Sequence, residues 1–320
     1  MIENIFISKN ETGRRIDLFL FEKYPSYSRT YFKNLIQSRS VLVNSKAVKP
    51  SYLLRQDDKL RIDLIENKGS IDLEPEDIDL NIIFENDDVI VLDKQAGLVV
   101  HPATGNFTGT LVNALIHHFP EIKTSDIEES GYSKTRPGIA HRLDKDTSGL
   151  LVVAKNQMAL RSLSKQIKNR TVEKKYLALC FGWPKNKSGT VSNFIGRNPK
   201  NRKKMAILDE NKGRLAVSDY KVLKYYKFNN KKFSLVEYNI KTGRTHQIRV
   251  HSKYLNIPIL GDLIYGTKES VKLSKSIGVK RQLLHSYHLA FYLPGETKQS
   301  IYETKMPDDF VMISNRLTIV

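Results

Sequence analysis

The chain has 320 residues, a formal net charge of +18, 40% hydrophobic and 27% charged residues, and a single cysteine. That length allows a sizeable core in one large domain plus a small one, and the apolar content excludes an intrinsically disordered chain. Three features are missing: an apolar run near the ~18 residues of a membrane span, a partner for Cys180 in an internal disulfide, and a Gly-x-x-x-x-Gly-Lys phosphate loop.

In chain order, residues 14–24 place Ile16, Phe19, Leu20 and Lys23 at helical spacing, and Pro25 stops that helix. Ser28 reads as the N-cap of a second helix to about Ser38, with Phe32, Leu35 and Ile36 as its buried stripe. Short strands are expected near 41–44 and 59–64, completing a small helix-helix-strand module over residues 1–65. Residues 66–80 mix Gly, Ser, Pro and acids, the composition of an acidic linker. Strands are expected at 81–85 and 88–93, a helix at 110–119 and a polar loop at 123–138. The run from Gly138 to Lys155 then joins two apolar stretches through a polar turn that holds Asp144 between Arg142 and Lys145. A helix follows at 157–169, with Met158, Leu160, Leu163 and Ile167 apolar, and strands at 172–182, 214–227, 233–241 and 283–293. Between the last two, Thr245 caps a helix on which Ile248, His251, Ser252 and Leu255 share a face. The fold class is α+β: the small module plus a larger mixed α/β domain over 81–320, mainly antiparallel.

Charge is unevenly distributed. Residues 1–65 carry 12 Lys and Arg against 7 Asp and Glu, residues 66–93 carry 1 against 10, and residues 94–320 carry 39 against 17. The excess lies where the Asp144 turn lies, and a polyanion such as RNA is the natural partner. A lysine-rich coding bias contributes to the total without explaining its concentration. The opening residues show no basic-then-apolar export pattern, so a cytoplasmic protein is expected, and a monomer.

An aspartate is ionised at neutral pH and can act as nucleophile or base when held in place. Taken alone, Asp144 in a Lys-Asp-Thr-Ser-Gly turn is more often a turn-former. Its neighbours change that reading. His141-Arg142-Leu143-Asp144 with Thr147-Ser148-Gly149 resembles the signature of the RluA family of pseudouridine synthases. Three further stretches resemble the family in the same order: 82–102, with Gln95 in place of a proline; Lys175-Tyr176; and 242–251, Thr-Gly-Arg-Thr-His-Gln-Ile-Arg-Val-His. Ile195-Gly196-Arg197-Asn198-Pro199, with Arg202 and Met205, is most similar to the RluD-like branch, which modifies large-subunit ribosomal RNA. The N-terminal module resembles the RNA-binding domain of ribosomal small-subunit protein four through Arg15-Ile16-Asp17, Ser28-Arg29, Leu35-Ile36 and Val41-Leu42-Val43-Asn44. Ser40, Ser45 and Asp58 stand where that family often has glycine.

The resemblance implies isomerisation of uridine to pseudouridine without cofactor or metal, on a base flipped out of its stack. It makes Asp144 the catalytic aspartate, pairs it with Arg244, and gives Tyr176 a stacking role against the uracil. Arg142, whose flat guanidinium can stack, fills the vacated space. His141, Lys175 and Ile248 fall among the substrate-binding residues, and Arg249 reads as a charge on a basic surface helix. Arg29, Lys33 and Arg39, on or just after the second helix, are the candidates for RNA contact in the small module. Lys94 reads as structural support. Two rivals are a non-catalytic assembly protein and a metal-dependent hydrolase built on His246/His251 or His285/His288, which lack acids or cysteines at ligand spacing.

Overall fold

The computed structural model describes residues 2–24, 27, 29–64, 73–102, 106, 108–124, 137–202 and 204–320. The chain forms two compact units, one centred on Met1–Leu73 and one built from Glu74–Thr124 with Gly138–Val320. The Pro25 stop and the Ser28 cap lie outside the described residues, as do 66–72 of the expected linker and 125–136 of the expected loop.

In the first unit, β1 (Ile2–Phe6), α1 (Ile16–Lys23), α2 (Arg29–Gln37), β2 (Val41–Val43), β3 (Lys46–Ala47) and β4 (Lys59–Asp63) follow in order. The strands form one antiparallel sheet in the order β1-β4-β2-β3. Both helices cover it through Ile16, Phe19, Leu20, Phe32, Leu35 and Ile36, all buried against Val41, Val43, Leu60 and Ile62. Each such side chain contributes about 1.5–3 kcal/mol by leaving water. The sequence placed α1, α2, β2 and β4 but not β1 and β3, which are short edge pieces. Left-handed backbone occurs at Ser45, where a glycine would be usual, and at Asn44 before it; it occurs also at Arg39 and Asp57, each one residue before the expected Ser40 and Asp58. Asp58 is instead a buried acceptor for the Asn44 amide, the Tyr52 hydroxyl and the Arg55 backbone N–H.

The second unit opens with residues 74–80 bound to its own surface: the Glu76 carboxylate accepts from the Gly109 N–H, and the Asn113 amide donates to the Glu74 carbonyl. This half of the expected linker is therefore part of the larger unit. There follow β5 (Ile82–Glu85), β6 (Val89–Lys94), α3 (Leu111–His118), α4 (Glu121–Thr124), β7 (Ser148–Ala154), α5 (Gln157–Asn169) and β8 (Glu173–Phe181). Then come β9 (Ser188–Arg197), β10 (Met205–Leu208), β11 (Arg214–Phe228), β12 (Lys231–Ile240), α6 (Gln247–Tyr254), α7 (Lys268–Ser276), β13 (Leu284–Tyr292), β14 (Gln299–Glu303), α8 (Asp308–Ser314) and β15 (Thr318–Ile319).

One 11-stranded sheet runs β10-β9-β11-β12-β8-β13-β7-β6-β5, with β14 on β13 and β15 on β11. Every pairing is antiparallel except β7 with β13, which meet over only His285–Ser148 and Ser286–Gly149. At that seam a side chain on Gly149 would lie 2.2 Å from the Ser286 carbonyl oxygen, and its φ of +113° also demands glycine. β7 is buried at all seven positions, which explains its unbroken apolar run. The stretch before the Asp144 turn pairs only at Ile139 with Val153, so one strand and a bridge stand where two strands were expected. α5 packs Ala159, Leu160 and Leu163 on β7, whereas Met158, expected in that stripe, is exposed.

Candidate active site

The Asp144 turn lies just before the seam strand β7 and is tied down along its backbone. The Thr147 N–H closes it on the Asp144 carbonyl at 3.1 Å. The Lys145 carbonyl accepts from Lys94 Nζ at 3.0 Å and from the Gly97 N–H at 3.0 Å. Lys94 is wholly buried, donates also to the carbonyls of Gln95 and Leu98, and has its pKa lowered to about 7 by burial. Arg281 donates to the Asp146 carbonyl at 3.1 Å while its fork grips Asp309 at the start of α8. The motif at 82–102 thus supports the site through Lys94, as its sequence suggested.

Asp144 meets Arg249, not Arg244. The Arg249 guanidinium makes a two-bond fork with Asp262 at 2.7 and 2.9 Å, which leaves a third N–H directed at Asp144 Oδ2, 3.1 Å away. Asp262 is completely buried and also accepts from the backbone N–H groups of Ile264 and Tyr265. Burial by itself would lower the Arg249 pKa, but the Asp262 bond and charge, joined by Asp144, hold it above its ordinary value. The cation also lies 5.1 Å over the Tyr265 ring. Arg249 is therefore a permanently charged strut, and the surface-helix reading of it is corrected. All of Gln247 to Ser252 is buried, so the Arg249 charge does not sit on a solvated face of α6.

Arg244 lies in the turn between β12 and α6, and its Nε donates to the Leu215 carbonyl at 3.0 Å. Gln247 builds that turn: its carbonyl accepts from the Thr242 hydroxyl and the Arg244 N–H, and its amide donates to Val217 and Ser218 on β11. Burial, then the like charges of Arg214 and Arg170, lower the Arg244 pKa. No carboxylate among the described residues pairs with Arg244, so it lines the cavity as a cation facing other cations. That setting suits a phosphate.

The cavity, about 90 Å³, is bounded by Arg142, Asp144, Tyr176, Arg244, His246 and Ile248, with Ile240 and Leu284 adding apolar wall. Tyr176 projects from β8 opposite Ser286 of the seam. Burial raises its pKa to about 12, keeping the phenol neutral. Arg142 is exposed at the rim, 3.1 Å from His101 Nε2. Of the residues chosen from sequence, Asp144, Arg142, Tyr176, Arg244 and Ile248 are brought together. His141 is not: its Nε2 accepts from the Val152 N–H at 3.0 Å, and burial lowers its pKa to about 3. Lys175 is not either. It alternates away from Tyr176 along β8 and pairs with Glu173 at 3.1 Å. The histidine pairs are separated by role: His246 lines the cavity, and His251 bonds Ser218 and Asn193. His285 bonds Ser148, and His288 bonds Glu303.

Sequence reasoning missed Arg249, Asp262, His246 and Tyr265 as parts of the site. An acid wholly buried at 262 needs a cation, and Arg249 supplies it. In the first unit, Arg29 is committed to Asp17 at 2.9–3.0 Å, so its first task is to neutralise a buried acid. Lys33 and Arg39 have no acid partner among the described residues.

The model of the RNA pseudouridylate synthase family matches residues 88–254, and that of the S4 domain matches 14–60. An uncharacterized RNA pseudouridine synthase of Chlorobaculum parvum is 40% identical over 98% of this chain and 97% of its own length. A protein of Neisseria meningitidis named ribosomal large subunit pseudouridine synthase D is 41% identical over 93% of this chain and 77% of its own. Among solved structures, human RNA pseudouridylate synthase domain containing 1 superposes with a TM-score of 0.59 at 28% identity, covering 76% of this chain and 89% of that one. With a family model matching over half of its length and relatives about 40% identical along nearly all of it, the chain belongs to the RNA pseudouridylate synthase family: it is an RNA pseudouridine synthase, an isomerase, with an N-terminal S4 domain.

Proposed function

We propose that the protein isomerises specific uridines of large-subunit ribosomal RNA, and that Asp144 carries the chemistry on a nucleoside flipped into the cavity. The observation that carries this reading is the Arg249–Asp144 bond. It fixes one carboxylate oxygen and leaves the other without a hydrogen bond among the described residues, in a cavity-lining side chain about 20% exposed. A carboxylate so held is oriented before substrate arrives, and its charge stays available. Tyr176 and Ile248 supply the flat and apolar surfaces against which a uracil packs. Arg142 at the rim can occupy the space the base vacates, and Arg244 can take a flanking phosphate. Relatives named for the large ribosomal subunit, and the RluD-like stretch at 195–205, support this reading of the RNA target. Lys33 and Arg39 of the S4 domain add backbone contacts. We read the enzyme as a monomer working in the cytoplasm, where that RNA is made into ribosomes.

The test is tritium release from ribosomal RNA labelled at carbon five of uracil, taken from cells lacking the enzyme. Wild type is expected to release it. Asp144→Asn is expected to bind the RNA with nearly unchanged affinity and release none. Equal release by both would overturn the role of Asp144. Release from another RNA but not from large-subunit RNA would overturn the target.

A further inference from the structure

His246 is the one cavity residue whose backbone is strained. It caps the start of α6 with φ +57° and ψ +22°, a left-handed conformation that costs a non-glycine residue about 1–2 kcal/mol, and its side chain makes no capping bond. The ring is turned elsewhere. Its Nδ1 lies 2.8 Å from the Tyr265 hydroxyl, and that hydroxyl accepts from the Met205 N–H at 2.8 Å. A phenol has one proton to give, and among the described residues the acceptor for it is His246 Nδ1. Nδ1 is therefore the unprotonated nitrogen, and the ring hydrogen resides on Nε2.

Nε2 faces Asp144 Oδ2 across 3.9 Å. This is too long for a direct hydrogen bond. It suits a third group that accepts from the N–H and donates to the carboxylate, each at about 2.8 Å with an angle near 90°. A hydroxyl does both. An N–H group cannot accept, and a carbonyl cannot donate. Oδ2 would then hold Arg249 and the hydroxyl, leaving the other oxygen for the reaction.

We propose that His246 is a specificity-determining residue that, with Asp144, holds the 2′-hydroxyl of the target ribose. The proposal rests on the isomerase reading above. In a uridine flipped into this cavity, the 2′-hydroxyl is the one adjoining the carbon whose bond to nitrogen is exchanged, and it is the group that distinguishes RNA from DNA. Burial lowers the His246 pKa, although Asp144 opposes it, so the neutral ring with one directed donor is the form presented.

The experiment compares an RNA substrate with its twin carrying 2′-deoxyuridine at the target position alone, using wild type and His246→Asn. Asparagine tolerates the left-handed backbone but lacks the reach of the imidazole. Single-turnover tritium release and Kd are both measured. For wild type, the deoxy substitution is expected to cost about ten-fold, the worth of one hydrogen bond in the complex. For His246→Asn it is expected to cost only about three-fold, because one of the hydroxyl's two partners is already gone and Asp144 remains. Tyr265→Phe, which frees the tautomer, is expected to fall between them and stands in should His246→Asn fail to fold. An equal deoxy penalty in wild type and variants, or no penalty in wild type, would overturn the proposal. Absence of turnover by wild type on the all-ribose substrate would instead count against the isomerase reading.

Discussion

Each unit of the protein contains an aspartate held by arginine, and the two are built to opposite ends. In the S4 domain, Asp17 is completely buried, and both its oxygens are taken, by Arg15 at 3.0 Å and by Arg29 at 2.9 Å. In the catalytic unit, Asp262 plays that saturated role, while Asp144 receives one arginine N–H on one oxygen and keeps about 20% of its side chain open. A carboxylate with every lone pair engaged holds elements together, and one with a spare oxygen at a cavity can react. Arg249 links the two kinds: its fork is spent on buried Asp262, and the remaining N–H reaches the carboxylate at the cavity.

The sharpest way to break this comparison is Asp144→Asn. The change is expected to lower single-turnover release by at least about 10³-fold while leaving thermal unfolding unchanged, since the residue is an acceptor with room to spare. Loss of stability matching loss of activity would place Asp144 with Asp17. Next comes Arg249→Lys, which keeps a charge but not the planar fork. It is expected to cost about 10²-fold in rate and also to lower the unfolding temperature of the larger unit, because Asp262 is left buried with poorer partners. A rate loss without destabilisation would show that Asp262 is satisfied by the Ile264 and Tyr265 N–H groups alone.

Asp17→Asn is expected to destabilise the S4 domain by about 1–3 kcal/mol and weaken RNA binding, with the single-turnover rate at saturating RNA unchanged. The same pair has a pH signature. Burial would raise the Asp17 pKa, but bonds from Arg15 and Arg29 outweigh it and hold the pKa below 3.8. A depressed folded-state pKa means the contribution is fully present above 3.8 and is lost as pH falls through the lower folded value. Urea midpoints of wild type and Asp17→Asn should therefore converge below pH 3.8, and a constant gap would remove the ion pair from the account. The smallest effect is expected from Lys175→Ala. Its partner Glu173 is partly exposed and neither lines the cavity, so KM should move by less than about two-fold. A large rise in KM would restore Lys175 to the substrate-binding set.

Much of the fold was readable because its elements are locally consistent. α1, α2, α3 and α5 and most long strands carry apolar residues at the right periods; the strands that escaped notice are short or edge pieces such as β1, β3, β10 and β15, and the longer β9, whose burial is sparse. At the site, the Asp144 turn, Tyr176 and Ile248 were legible because each lies in a compact motif. The arginine was misassigned for a physical reason. Periodicity separates buried from solvated faces only when polar residues seek water, and in α6 Gln247, Arg249, His251 and Ser252 are buried with partners of their own. His141 and Lys175 were misread in the converse way: adjacent to residues that do line the cavity, they point elsewhere.

The sequence by itself determined the class of fold, the two-part organisation, the basic character and the aspartate that lines the cavity, because these follow from local patterning and from motifs contiguous along the chain. Only the tertiary structure decided which arginine holds that carboxylate, which histidine nitrogen faces it, and which neighbouring side chains turn away. Those choices depend on contacts between Asp144 and Arg249, 105 residues apart, and between Arg249 and Asp262, 13 apart. Low-dielectric packing, not spacing along the chain, selects among several equally plausible charges.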